Sequence, residues 1–144
     1  MTPDEQARLE DRLGPDEPPY RSRGEAQVGR LLDRYGLPFV YEQATLIYDR
    51  GRCRVWHPDF KLLQYGGLIV EYAGMMDVPD YAAGIRHKAA AYARNSIPAL
   101  FVYPVDLTGR DWPRRLIHRI YRTGAQAQQR YRRMGYAACH PRYR

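Results

Sequence analysis

The sequence predicts an α/β fold in which helices flank a mixed sheet. The apolar periodicities of the 144 residues give the order α-β-β-β-α-β-α. Three strands follow one another through short turns, and a helix then crosses over to a fourth strand. A chain of this length can bury a core as one domain.

The first helix of this core begins after Ser22. Glu25 stands three residues later, which is the spacing of a capping box, and apolar residues then recur at helical spacing until Gly36. Residues 1–20 form an acidic, proline-rich arm in which paired prolines stop any helix. The core domain is therefore predicted to start at residue 21.

The strands are predicted from aromatic and β-branched runs. Residues 39–48 and 52–63 read as a hairpin around Asp49-Arg50-Gly51, and Gly66-Gly67 leads into a buried strand at 68–73.

The second half of the core alternates helix and strand. A helix is predicted over 81–94, and a nearly continuous apolar run predicts a covered strand over 99–105. The last helix opens at Asp111-Trp112-Pro113. Beyond Gly124 its apolar pattern gives way to Gln and Arg, so the end of the chain is expected to be helical only when bound. The core then spans 21–121, followed by a basic tail over 122–144.

The net charge of +7 is concentrated at the carboxyl end. Residues 110–144 hold ten arginines and one acid, and tyrosines are interspersed among the arginines. Arginine binds phosphates, and tyrosine can stack on bases. A solvated tail is the alternative. The predicted nucleic-acid contacts are Arg114, Arg115, Arg122, Arg130, Arg132 and Arg133.

Two acids stand in neighbouring predicted strands. Asp59 follows Pro58, and Glu71 lies in the next strand. Adjacent carboxylates repel each other unless a cation, a shared proton or a basic neighbour compensates. Asp59 shares a face with His57 and Lys61, and the hairpin register can bring Glu71 to the same face. Two carboxylates, a backbone carbonyl and waters suit Mg²⁺, so the pair predicts a magnesium site.

The same residues resemble the motif of the PD-(D/E)xK nuclease superfamily over roughly residues 21–121. A helix glutamate, a Pro-Asp strand and an acid in the next strand carry the resemblance. It implies a restriction-endonuclease-like α-β-β-β-α-β core and a Mg²⁺-dependent DNA endonuclease, with Mn²⁺ able to substitute. It also implies that Asp59 and Glu71 are catalytic metal ligands and that Glu25 completes the site. The capping box is the alternative role of Glu25.

The lysine of this family stands two residues after the second acid, where the chain has Ala73. The predicted metal ligands are Asp59, Glu71 and Ala73. Of these, Ala73 can offer only its backbone carbonyl. Lys88 is favoured as the catalytic lysine because several branches of the superfamily carry it on this helix. Lys88-x-x-x-Tyr92 is also similar to the Gln-x-x-x-Tyr motif of RecB-like members. The alternatives are Lys61 or no functional lysine.

Other classes of function fit the sequence less well. It has no glycine-rich phosphate loop, no zinc-ligand spacing and no apolar run of about 18 residues that would span a membrane. Cys53 and Cys139 are expected to be free thiols in the cytoplasm.

The alternative to an active nuclease is a nucleic-acid-binding protein that kept the fold and lost catalysis. A weaker idea is an RNA-binding accessory protein. The recognised DNA structure is left open, and specificity would come from loops, the tail, a homodimer or a partner subunit.

Overall fold

The computed structural model describes residues 2–5 and 17–139, and within 17–139 it contains three α-helices and six strands. The helices are α1 (Arg23–Arg34), α2 (Pro79–Arg94) and α3 (Trp112–Cys139). The strands are β1 (Phe39–Tyr41), β2 (Thr45–Asp49), β3 (Arg52–Trp56), β4 (Phe60–Leu62), β5 (Ile69–Tyr72) and β6 (Ala99–Val102). A short 3₁₀ helix, Pro104–Leu107, follows β6.

Four strands form a mixed sheet in the order β1-β4-β5-β6. The β1–β4 and β4–β5 pairs are antiparallel, and β5–β6 is parallel because α2 connects these two strands. Buried residues of α1 and α3 pack on the sheet face that carries Phe60, Leu62 and Val70. Ala91 and Tyr92 of α2 belong to a second cluster with Ile69. The predicted mixed α/β class is confirmed.

The two long strands predicted at 39–48 and 52–63 are each broken in the structure. Glu42 has a left-handed backbone, with φ 52°, which turns the chain out of the sheet between β1 and β2. Pro58 lies between β3 and β4, and it has no N–H to offer to a ladder. As a result β1 and β4 pair within the main sheet, while β2 and β3 form a separate two-stranded ribbon.

Two predictions near the carboxyl terminus were wrong. The strand predicted to reach residue 105 ends at Val102, because Pro104 begins the 3₁₀ helix. The last helix continues beyond Gly124 to Cys139. Gly124 is buried, and a Cβ added there would lie 2.4 Å from the ring of Tyr65. This glycine therefore permits a close contact within the helix instead of ending it, and α3 crosses the predicted core–tail boundary unbroken.

The described end of the predicted arm is docked on the core. The ring of Tyr20 packs against Tyr41 and Phe60, with centroids 5.2 and 6.0 Å apart. Glu17 forms an ion pair with Arg30 at 2.8 Å. The rest of the predicted arm, apart from residues 2–5, lies outside the described residues.

Cys53 is a free, exposed thiol on β3. In residues 2–5 and 17–139 we find no helix with both the length and the apolar character to cross a bilayer.

The two helical glycines Gly124 and Gly84 provide a matched test of the packing. Gly124→Leu is expected to lower the free energy of unfolding by about 2–3 kcal/mol, because the new side chain meets the root of the Tyr65 ring. At Gly84 on α2 an added Cβ meets no atom beyond its own stretch of helix within 4 Å. Gly84→Leu should therefore raise the free energy of unfolding by about 0.5–1 kcal/mol, because leucine has the higher helix propensity. Urea unfolding measures both, and a neutral Gly124 variant would contradict the docking of α3.

Candidate active site

The register of β4 and β5 places Asp59 beside Glu71. Phe60 pairs with Val70 and Lys61 with Ile69, so the next position of the ladder sets Asp59 opposite Glu71. The backbone N–H of Asp59 donates to Oε1 of Glu71 at 3.2 Å. The two carboxylates therefore lie side by side on one face at the end of the β4–β5 pair, as a shared cation site requires.

Helix α2 supplies two further groups to Glu71. Lys88 Nζ donates to Oε2 of Glu71 at 2.9 Å, and the Tyr92 hydroxyl donates to Oε1 at 3.2 Å. The four-residue spacing of Lys88 and Tyr92 puts both side chains on one face of the helix. Glu71 is 2% exposed, so these bonds hold a buried carboxylate in a single orientation.

Asp59 is held differently. The backbone N–H of Tyr72 donates to its Oδ2 at 2.8 Å, while no donor in the described part of the chain bonds to Oδ1. Burial is the main cause that raises the pKa of Asp59 to about 7, and the charge of Glu71 adds to it. The Tyr72 N–H and the Lys88 ammonium oppose this rise in pKa without cancelling it. The site thus has more negative charge than its own cation neutralises.

Glu25 approaches the pair from the amino terminus of α1. Its backbone N–H donates to the Ser22 hydroxyl at 3.1 Å, and that hydroxyl donates to its Oε2 at 2.9 Å. Tyr41 donates to its Oε1 at 2.7 Å. Ser22 therefore caps α1, and the Glu25 side chain bonds to the Ser22 hydroxyl and not to the Ser22 backbone N–H, as it would in a full capping box. Glu25 makes no hydrogen bond to Asp59 among the described residues, but its charge is one cause of the raised pKa of Asp59.

The donor set fits a hard divalent cation that also binds substrate. Within residues 2–5 and 17–133, no group of three or more His, Cys, Asp or Glu side chains is placed to hold a metal ion by itself. Mg²⁺ commonly takes one or two carboxylates and completes its shell with waters and phosphates. Asp59 Oδ1 and the Glu71 carboxylate can supply that share. Ala73 is fully buried, and its N–H is bonded to Val102, so only its carbonyl remains to be offered.

Of the two lysines, Lys88 on α2 lies next to the acid pair and Lys61 on β4 points to the β4–β5 loop. Lys88 contacts Glu71 directly. Lys61 lies two positions along β4 from Asp59, and its Cε approaches Gly67 in the β4–β5 loop, 3.1 Å from where a Cβ would stand. The structure thus brings only Lys88 into contact with the acid pair.

The histidines near the site have structural partners. His57 Nδ1 lies 3.1 Å from the carbonyl oxygen of Glu42. His87 Nε2 lies 2.9 Å from Oδ2 of Asp49, and this interaction lowers the pKa of Asp49. Asp49 is buried, and it anchors the ribbon to α2. Sequence reasoning placed Asp49 in a hairpin turn and missed this anchor, because its burial depends on a helix 38 residues away.

The predicted arginines do not gather around the acids. All six are exposed. The side chain of Arg115 donates to the Thr108 carbonyl at 2.6 Å. α3 meets Tyr65, in the loop between β4 and β5, at Gly124. That loop is at the end of β4 opposite Asp59, so the part of α3 after Gly124 leads away from the acid pair.

Comparisons with protein-family models, with curated proteins and with solved structures found no match. The site is therefore interpreted from its own geometry.

Asp59→Asn tests the electrostatics of the pair. A carboxyl whose pKa is raised on folding destabilises the folded state once it ionises. The cost begins above the unfolded pKa of about 3.9, grows until pH reaches about 7, and is constant beyond that. The variant should therefore match the wild type near pH 4 and be more stable by up to about 4 kcal/mol at pH 8. Urea unfolding across this pH range measures the difference, and a gain independent of pH would contradict the burial of an ionisable pair.

Proposed function

We propose that this protein is a Mg²⁺-dependent DNA endonuclease, with Mn²⁺ able to replace Mg²⁺. The observation that carries the proposal is the acid pair of Asp59 and Glu71 with Lys88 bonded to it. Glu71 is buried and Asp59 is partly buried, and one lysine does not compensate the negative charge of both carboxylates.

The order of the elements supports a restriction-endonuclease-like core. α1, the strands β1, β4 and β5, α2 and β6 follow one another as α-β-β-β-α-β, once the β2–β3 ribbon is regarded as an insertion between the first two. Asp59 directly precedes β4, Glu71 lies within β5, and the lysine stands on α2. The acids thus have the positions that the resemblance to the PD-(D/E)xK superfamily implies, while the lysine has the position that it takes in several branches of that superfamily.

The residues of the site have separable roles in phosphodiester hydrolysis. When bound, Mg²⁺ supplies Lewis-acid chemistry, which stabilises charge on the phosphate and lowers the pKa of a bound water. Asp59 would hold the cation through Oδ1, because the Tyr72 N–H already occupies Oδ2. Tyr92 holds Glu71 in place through Oε1. Glu25 adds negative charge from α1 without direct contact.

Lys88 is placed to orient the attacking water and to balance the charge of the phosphate. Its ammonium lies 2.9 Å from Oε2 of Glu71, and its side chain is 40% exposed, so it stands between the buried acid and solvent. From there it can orient a water and balance phosphate charge. The exposed thiol of Cys53 suits a reducing, cytoplasmic setting for this activity.

A nucleic-acid-binding protein without catalysis is the second candidate. Ala73 stands where the resemblance would place lysine, and Lys88 already compensates part of the charge of Glu71. In this case the acid pair would be a structural remnant, and loss of its charge would leave DNA binding intact.

Nicking of supercoiled plasmid in the presence of Mg²⁺ or Mn²⁺ separates the two candidates. The wild type is expected to nick, and Asp59→Asn should lower the rate at least about 100-fold because a ligand for the cation is lost. Asp77→Asn removes the same charge from an exposed turn and should leave the rate unchanged. No nicking of plasmid, branched or single-stranded DNA by the wild type would refute the nuclease.

The only two lysines of the chain give a second matched pair. Lys88→Ala is expected to reduce nicking by about 10²–10⁴-fold, the usual contribution of a proton-transfer group. It should not weaken Mn²⁺ binding in a calorimetric titration, because it removes a cation that competes for Glu71. Lys61→Ala should nick within about twofold of the wild type. Greater loss in the Lys61 variant would show that the wrong lysine has been assigned.

A further inference from the structure

The β2–β3 ribbon starts and ends beside the acid pair. Glu42 precedes the ribbon, and its N–H donates to the carbonyl oxygen of Asp59 at 3.0 Å. β3 ends at Trp56, and only His57 and Pro58 separate it from Asp59. Arg54 is only five residues from Asp59, at most about 17 Å of extended chain. A molecule bound along the ribbon would therefore also reach the site.

The arginines of β3 lie at the uncovered margin of one ribbon face. Arg52 pairs with Asp49 and Arg54 with Ile47, so both arginines point to the side of the ribbon that packs on α2. α2 covers the β2 half of this face, where Ile47 and Asp49 are buried. Arg52 and Arg54 are exposed at its edge. They form a basic margin next to the helix that carries Lys88.

Trp56 connects this margin to the acid pair. It follows Arg54 on the same face of β3 and packs edge-on against Tyr92, with ring centroids 5.7 Å apart. Tyr92 in turn donates to Glu71. The basic margin, the two rings and the carboxylate are thus contiguous.

Positive charge exceeds negative charge along the margin. Asp49 lies 4.0 Å from Nε of Arg54 and 3.5 Å from Nη2 of Arg94. Each of these guanidinium groups is about half exposed, 47% for Arg54 and 58% for Arg94, and each contacts Asp49 through one nitrogen. A guanidinium carries five N–H donors, so most of them remain available to phosphate oxygens.

We infer that Arg52, Arg54 and Arg94 form a phosphate track that holds the DNA backbone beside the acid pair. The inference rests on the proposed function, since it assigns the substrate-holding surface of that site. One strand of duplex DNA has a phosphate per about 3.4 Å of axis, so the interval from Arg54 to Asp59 corresponds to at most about five phosphates. The arginines beyond Gly124 on α3 lie at the other end of the sheet.

DNA binding by two matched double variants tests the track. The fluorescence anisotropy of a labelled 20-base-pair duplex is titrated in EDTA over a range of salt concentrations. Arg52→Ala with Arg54→Ala should weaken binding about tenfold or more and reduce the slope of log K against log salt by about 2. Arg132→Ala with Arg133→Ala removes the same charge from α3, at two of the nucleic-acid contacts that the sequence predicts. If the track and not the end of α3 holds the DNA, this variant should change affinity less than about twofold.

A conservative double variant distinguishes loss of charge from misfolding of the ribbon. Arg52→Lys with Arg54→Lys keeps both charges and should keep the salt slope. An equal or larger loss in the Arg132/Arg133 variant, an unchanged slope in the Arg52/Arg54 variant, or no binding by the wild type overturns the track. Plasmid nicking is scored separately. Nicking with an unaffected ribbon variant would refute only the track, and a ribbon effect without nicking would refute only the nuclease.

Discussion

The candidate site depends on the register between β4 and β5, which sets two carboxylates opposite each other. A shift of one residue would turn one acid to the other face of the sheet, among the residues that pack on α1 and α3. Buried apolar residues such as Phe60 and Val70 fix the register from that opposite face. The hydrophobic core therefore also determines the electrostatics of Asp59 and Glu71.

The acid pair lowers the stability of the folded state. Burial and mutual repulsion disfavour two ionised carboxylates, and Lys88 offsets only part of this. Residues that lower stability while concentrating charge are typical of functional sites. Tyr92 and the backbone N–H groups of Asp59 and Tyr72 keep the carboxylates in place, so a bound cation would find ligands that are already oriented.

Local patterns in the sequence predicted much of the core. The Ser22–Glu25 cap, the acids and the four-residue spacing of Lys88 and Tyr92 depend on neighbours in the chain. The ribbon could not be predicted in the same way. The ribbon leaves the main sheet because Glu42 has a left-handed backbone. It is held on α2 by contacts of Asp49 with residues that are far away in the sequence. For a similar reason the continuation of α3 beyond Gly124 was not predicted for the unbound chain, since the role of Gly124 is a contact with the distant Tyr65.

The central claim is that Asp59 and Glu71 together hold a divalent cation. Anomalous diffraction from a crystal soaked in Mn²⁺ tests it most directly. The predicted result is one anomalous peak between the two carboxylates, about 2.0–2.2 Å from their oxygens, with Lys88 close by. A peak elsewhere on the protein, or none between these acids at saturating Mn²⁺, would contradict the account.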